Sequence, residues 1–310
     1  MKVITLTLNP AIDLHLTTDR LTVGSDNKCS FVRRDSGGKG VNLSRALSNN
    51  SVPNECFMII GEEGSDEFIL PLYNIGMSPE CITVPGRVRE NLNIHHGGSE
   101  TVIATDGAPV SRESVEELRR RLMPRFFAGD AVCLCGSIAD GSDKDAIISL
   151  LVELKEAGAL LVIDSKSLST EEILFLKPYL IKPNEEEAEL LSGMRPLSLE
   201  DAARIAAALR DGGCENVMLT MGKSGAALAS SDGVYIAGVP SISAVSTVGA
   251  GDSSIAGFLA AVADGMNSAG ALALAVAYGS AACMEEGSMP PSPKNVSSVL
   301  QKVTISRVDV

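Results

Sequence analysis

Tryptophan is absent from this chain of 310 residues, and aromatic residues make up only 4% of it. With so few aromatic surfaces to stack a ligand, a binding site falls to backbone and small side chains, and the 29 Gly suit close packing and tight turns. Positive charge is scarce too. Asp and Glu (39) outnumber Lys and Arg (26), a formal net charge of -13, which nucleic acid would repel unless one face were strongly basic. No such face shows: the densest basic stretch, Arg119-Arg120-Arg121 with Arg125, follows Glu113-Ser114-Val115-Glu116-Glu117 on an amphipathic pattern and reads as one solvated helix face. Long apolar runs are missing, with nothing near the roughly 18 residues of a membrane span. Met1-Lys2-Val3-Ile4-Thr5-Leu6 enters a strand pattern without a signal-peptide core, so a cytoplasmic location is expected. Seven Cys without a C-x-x-C, and three His, make neither a disulfide framework nor a zinc site. Two nucleotide signatures are also missing. Gly222-Lys223-Ser224 fails as a Walker loop because Val217 stands where its first Gly belongs, and no G-x-G-x-x-G follows the first strand, which removes a Rossmann oxidoreductase.

What is present reads as an α/β protein. Hydrophobic residues are 45% and charged residues 21%, enough apolar surface for a sizeable core. Short aliphatic runs at 2–8, 55–60, 130–135, 159–164, 179–182 and 216–220 alternate with helical patterns at 40–49, 65–75, 111–127, 142–157, 184–192, 199–211, 253–264 and 268–284. That alternation predicts a mostly parallel sheet covered on both faces. Two polar, β-rich stretches, 11–35 and 88–106, break the rhythm and read as a small sheet standing off the main one, a lid over a cleft or a dimerisation surface.

Three segments carry chemistry. In Ser246-Thr247-Val248-Gly249-Ala250-Gly251-Asp252-Ser253-Ser254 a small-residue turn opens into a helix, where free amides and the helix dipole favour an anion. Asp252 there makes sense as a base taking the proton of a hydroxyl that attacks a phosphate; the alternative is a helix cap. In Asp35-Ser36-Gly37-Gly38-Lys39-Gly40-Val41-Asn42, glycines surround a lysine before a helix, which offers backbone approach and a cation to a phosphate, or else a turn with a solvated Lys39. In Lys182-Pro183-Asn184-Glu185-Glu186-Glu187, Asn184 and Glu187 have the spacing of an N-cap and its N3 partner. Glu187 also suits Mg2+ held through water, because that ion takes few carboxylates and fills its shell with water and phosphate oxygens. Thr220, Gly222 and Gly225 follow a strand at the sheet's carboxyl edge, where α/β folds bind ligands. Asn9-Pro10-Ala11-Ile12-Asp13 ends another strand, with Asp13 either a partner for sugar hydroxyls or a turn cap.

In this order, over almost the whole chain, these elements resemble the PfkB family of ribokinase-like sugar kinases, in the branch that phosphorylates hexose phosphates. The resemblance implies one domain over 1–310, a three-layer sandwich with a mostly parallel central sheet, and a β-sheet lid from about 11–35 and 88–106 that pairs two chains into a homodimer. It implies ATP and Mg2+, Asp252 as catalytic base, and Gly249, Ala250 and Gly251 as an anion hole. Nucleotide contacts fall to Lys182, Asn184, Thr220, Gly222 and Gly225, magnesium to Glu187 through water, and sugar contacts to Asp13, Gly38, Lys39 and Asn42. Arg89, in Val88-Arg89-Glu90-Asn91, would clamp the acceptor's existing phosphate with Lys39, since a guanidinium grips phosphate bidentately. Fructose 1-phosphate is the acceptor implied first. Tagatose 6-phosphate or fructose 6-phosphate follow, then an unphosphorylated sugar or nucleoside, then a non-catalytic nucleotide-binding role. Glu90, Asn93, Gly107-Ala108-Pro109 and Gly136-Ser137-Ile138-Ala139 depart from the family pattern and leave the sugar open.

Overall fold

Strands buried on both faces need neighbours on both edges, and the aliphatic runs of this chain supply them to one another. The computed structural model, which describes residues 1–310, places ten strands in one sheet: β1 (Val3–Thr7), β4 (Asn54–Glu63), β5 (Glu80–Arg87), β8 (Ala131–Cys135), β9 (Leu160–Asp164), β10 (Leu180–Ile181), β11 (Asn216–Thr220), β12 (Ala226–Ser230), β13 (Gly233–Gly238) and β14 (Thr304–Val308). Their order is β14-β13-β12-β11-β10-β9-β8-β1-β4-β5. From β11 to β5 every pairing is parallel, and β12 to β14 add an antiparallel flank. The chain runs outward from β1 in one direction and returns to extend the other, so β1 and β8 mark the switch point at whose carboxyl ends a crevice opens.

Helices cover both faces: α1 (Lys39–Asn49), α2 (Ser65–Asn74), α3 (Arg112–Leu122), α4 (Lys144–Glu156), α5 (Thr170–Leu176), α6 (Glu185–Ser192), α7 (Leu199–Asp211), α8 (Ala250–Ala263), α9 (Ser268–Ala282) and α10 (Pro293–Leu300). Strands β1 and β8 sort their side chains by size. Ile4, Leu6, Val132 and Leu134 point into the core under α3 to α7. Ala131, Cys133 and Cys135 point to the opposite core, shared with α1, α8 and α9. Small residues on that face let those helices sit close. Gly257 on α8 is pressed so tightly to α9 that a Cβ there would lie 2.6 Å from the Leu274 carbonyl oxygen and 2.9 Å from Tyr278 Cβ.

The stretches at 11–35 and 88–106 form a separate four-stranded sheet: β2 (Ala11–Thr18), β3 (Ser30–Gly37), β6 (Arg89–His96) and β7 (Ser99–Ala104), in the order β3-β2-β6-β7. One face is apolar: Ile12 packs with Phe68 and Leu72 of α2. The alternate residues Asp13, His15, Asn91 and Asn93 turn to the crevice.

Four features differ from the sequence reading, one of them strand β5, which closes an edge of the main sheet outside every aliphatic run read in the sequence. Helix α8 begins at Ala250, not 253, because Gly249, with φ +77°, turns the chain directly into it. The β12–β14 flank went unread: Ala226–Ser230 is Ala-Ala-Leu-Ala-Ser, a weak strand former held in place by ladders on both sides. Helix α5 is seven residues, too short to show a period. No helix is long and apolar enough to cross a membrane.

Overpacking the α8–α9 contact should be felt globally. Gly257→Ala is expected to cost about 1–3 kcal/mol, read as a lower denaturation midpoint in guanidinium; an unchanged midpoint would mean that the helices separate freely.

Candidate active site

The crevice is a cavity of about 1050 Å3 between the carboxyl ends of the main sheet and the polar face of the second sheet. It gathers Asp13, Gly38, Lys39, Asn42, Arg89, Lys182, Asn184, Glu187, Thr220, Gly222, Gly225, Gly249, Ala250, Gly251 and Asp252, every candidate singled out in the sequence.

At its centre, Gly249 leads into α8 with Ala250, Gly251 and Asp252 as the first helical residues. The Ala250 amide is turned to the Thr247 carbonyl at 3.3 Å, whereas those of Gly251 and Asp252 have no partner in the protein. Free amides at the start of a helix attract negative charge. The Asp252 side chain does not cap α8. It is buried and accepts a hydrogen bond from Asn42 Nδ2 at 2.9 Å. Burial, reinforced by the nearby charge of Asp164, pushes its carboxyl up to about 6.

Asp164, which the sequence reading passed over, organises the charges. It ends β9 almost fully buried, with Oδ1 3.1 Å from Lys39 Nζ and 4.0 Å from Lys182 Nζ. Burial works to lower the Lys39 ammonium, but Asp164, then Asp252 and Glu187, outweigh it and hold Lys39 above the ordinary lysine range. Lys182 lies over the start of α8, where a Cβ on Gly251 would meet its Nζ at 3.1 Å. Two carboxylates and two ammonium groups thus share one centre, with the carboxylates and Lys182 buried and Lys39 reaching the cavity. A lone acid closing the buried run 159–164 was the available signal.

On one flank of this centre, Asn184 and Glu187 form a reciprocal cap of α6: Asn184 Oδ1 accepts from the Glu187 amide at 2.8 Å, and Glu187 Oε2 accepts from the Asn184 amide at 3.0 Å. Glu187 Oε1 stays outside this box, 3.7 Å from Lys166 Nζ. Thr220 pairs with Asn184 across an isolated bridge, and Gly225 is required by the chain itself, since a Cβ there would strike the Ala237 carbonyl. Beyond them Val239, Ile242, Val276 and Cys283 line an apolar slot that no motif announced.

At the opposite end Asp13 takes a hydrogen bond from Asn91 Nδ2 at 2.7 Å, although burial dominates and raises its carboxyl. The glycine run serves this end in part by internal fit: a Cβ on Gly37 would collide with Asp13, and one on Gly40 with Thr7. Arg89 Nη1 donates to Ser137 Oγ at 3.0 Å, and Asn9 Nδ2 donates to the same oxygen at 3.1 Å.

A cavity with unpartnered amides at its centre, a buried carboxyl beside them and both polar and apolar lining has the chemistry to hold a phosphoryl donor and a hydroxylated acceptor together. The model of the pfkB family of carbohydrate kinases matches residues 3–295. The chain belongs to that family. It is 31% identical over 282 residues to the 1-phosphofructokinase of Bacillus subtilis, covering 91% of this chain and 92% of that one. Against the 1-phosphofructokinase of Haemophilus influenzae it is 28% identical over 309 residues, covering 99% of both. In structure it is similar to phosphofructokinase-2 of Escherichia coli, with a TM-score of 0.89 over 97% of this chain and 99% of that one, at 22% identity, a likeness of fold.

A pfkB kinase that used an ionised Asp252 as its base would lose kcat as pH falls through about 6, because protonation removes the base. Asp164→Asn, which deletes the neighbouring negative charge, is expected to move this acid limb to lower pH. A pH–rate profile of kcat checks both, and an unmoved limb in Asp164→Asn would remove Asp164 from the tuning of Asp252.

Proposed function

We propose that this chain transfers the γ-phosphoryl group of ATP to fructose 1-phosphate, giving fructose 1,6-bisphosphate and ADP. The observation that carries the reading is the buried Asp252 beside the free Gly251 and Asp252 amides, placed between a polar end and an apolar end of one cavity. The relatives named 1-phosphofructokinase support the choice of acceptor.

The acceptor's free hydroxyl oxygen bonds to the γ-phosphorus while its proton passes to the Asp252 carboxylate. The bond from that phosphorus to the bridging oxygen of ATP breaks, and ADP leaves with the electron pair. The amides at the start of α8, with Lys182 over Gly251, face the negative charge on the transferring group. Asp13, Asn42, Gly38 and Lys39 hold the sugar, and Arg89, fixed by Ser137, takes the phosphate it already carries. Lys182, Asn184, Thr220, Gly222 and Gly225 line the nucleotide's side, with its base in the slot at Val239, Ile242 and Val276. The donors at the centre suit Mg2+: Glu187 Oε1 lies outside the capping box, and Asp164 Oδ2 is buried without a partner. Glu187, through water, and Asp164 would hold that ion, whose charge offsets that of the nucleotide phosphates.

The second sheet acts as the lid of this site and as a pairing surface for a homodimer. Phe31 and Val32 on β3 and Val102 and Ile103 on β7 leave apolar surface exposed on its outer strands. The unpaired cysteines suit the reducing cytoplasm.

A coupled ADP-release assay across fructose 1-phosphate, fructose 6-phosphate and tagatose 6-phosphate tests the acceptor, with fastest turnover expected on the first. Activity on unphosphorylated sugars alone would sink the reading. Asp252→Asn should keep ATP binding and lose about 100- to 10,000-fold in kcat; near-normal turnover would take Asp252 out of the mechanism. Arg89→Ala should raise KM for the sugar phosphate about tenfold or more while leaving KM for ATP near normal, and an unchanged sugar KM would place the acceptor's phosphate elsewhere.

A further inference from the structure

Two arginines that the phosphoryl-transfer reading leaves unused reach the loop after α9 from different elements. Arg45, on α1, is buried, and its guanidinium turns to this loop: Nη1 lies 3.4 Å from Ser288 Oγ, and Nη2 lies 3.6 Å from Met289 Sδ. Arg33, on β3 of the second sheet, reaches the same loop, its terminal nitrogens filling the space that a side chain at Gly287 would need.

Each end of this contact touches a different part of the cavity. Arg33 Nε stands 3.0 Å from Asp35 Oδ2, and the same oxygen faces His15 Nε2 at 3.3 Å. His15 lines the sugar end of the cavity, and Asp35 is the direct cross-strand partner of Asp13. At the other end, Ser288 Cα is the nearest atom to the place a Cβ on Gly249 would occupy, at 3.9 Å. A chain of neighbours therefore runs from the sugar-facing residues through Asp35 and Arg33 to Gly287 and Ser288, which stands beside the turn that opens α8.

Asp35 Oδ2 is shared between His15 Nε2 and Arg33 Nε, so the two side chains meet at one oxygen. An acceptor that engages Asp13 or His15 changes how Asp35 divides its charge between His15 and Arg33. Arg33, packed against Gly287, passes that change to the loop behind Gly249. We propose that Arg33 is a positioning residue that couples the two substrates, so that an acceptor bound on the second sheet tightens nucleotide binding through the 285–289 loop. This rests on the kinase reading of the cavity.

The test is calorimetric titration of a non-hydrolysable ATP analogue, with and without saturating fructose 1-phosphate, in wild type, Arg33→Leu and Gly287→Ala. Wild type is expected to bind the analogue on the order of tenfold more tightly with the sugar phosphate present, within the usual range of coupling between sites. Arg33→Leu should bind the analogue alone as wild type does and lose most of that gain. Gly287→Ala, which evicts the guanidinium from the other side, should lose it too. Equal gains in wild type and Arg33→Leu, no gain in wild type, or weaker binding of the analogue alone with the gain intact would each overturn the proposal. Should fructose 1-phosphate not bind wild type at all, the acceptor assignment fails instead, and the same titrations with the ketohexose phosphate that turns over decide on Arg33.

Discussion

A carboxylate taken out of water is tolerated only where cations and donors replace its hydration, and Asp164 at the end of β9 meets that condition through Lys39 and Lys182. The requirement propagates. Lys39 begins α1, Lys182 follows β10, and both must arrive within reach of one oxygen, which ties the glycine-rich turn before α1 to the centre of the parallel sheet. Asp252 arrives from a third direction on α8, and burial, reinforced by the like charge of Asp164, lifts its carboxyl toward neutrality. Without the two lysines, two aspartates could not share this space in ionised form. With them, the centre holds a base near its working range beside amides that await an anion.

Close approach of α1 and α8 to the sheet is the mechanical counterpart of that charge cluster. It depends on the small face of the sheet, built from Ala131, Cys133 and Cys135, and on Gly40 clearing Thr7. Larger side chains there would lift both helices away, carrying Asn42 and Asp252 apart, although they meet at 2.9 Å. The lack of Trp and the abundance of Gly thus have a single cause: a site formed from helix ends requires helices packed close to the sheet. The second sheet contributes the complementary half. Alternation over Ala11 to His15 turns Ile12 to an apolar core and Asp13 to the cavity, so one short strand both anchors the sheet and furnishes the site.

Much of this was legible beforehand. The aliphatic strand runs, the helical patterns between them and the separate second sheet rest on periodicity, and the Asn184–Glu187 box rests on a three-residue spacing. These are interactions between near neighbours. The β12–β14 flank was not legible, since Ala226–Ser230 has no strand preference of its own and is held by its ladders. Asp164 was legible only as an acid closing a buried run, and its role emerged when two lysines from elsewhere met it. Gly37, Gly40 and Gly225 were visible as glycines, but what they make room for, Asp13, Thr7 and Ala237, could not be read from spacing.

The sequence by itself determined the order and type of most elements, the turn into α8 and the candidate residues from Asp13 to Asp252, because helix caps, glycine turns and alternation act over a few residues. Tertiary structure decided which of these share a cavity, which carboxylate governs their charge, and how the second sheet reaches the loop behind Gly249. The physical reason is distance along the chain. Lys39 and Asp164 are 125 residues apart, and Asn42 and Asp252 are 210 apart. Contacts of that span leave no periodic trace in the sequence and arise only when the sheet brings its strand ends to one edge.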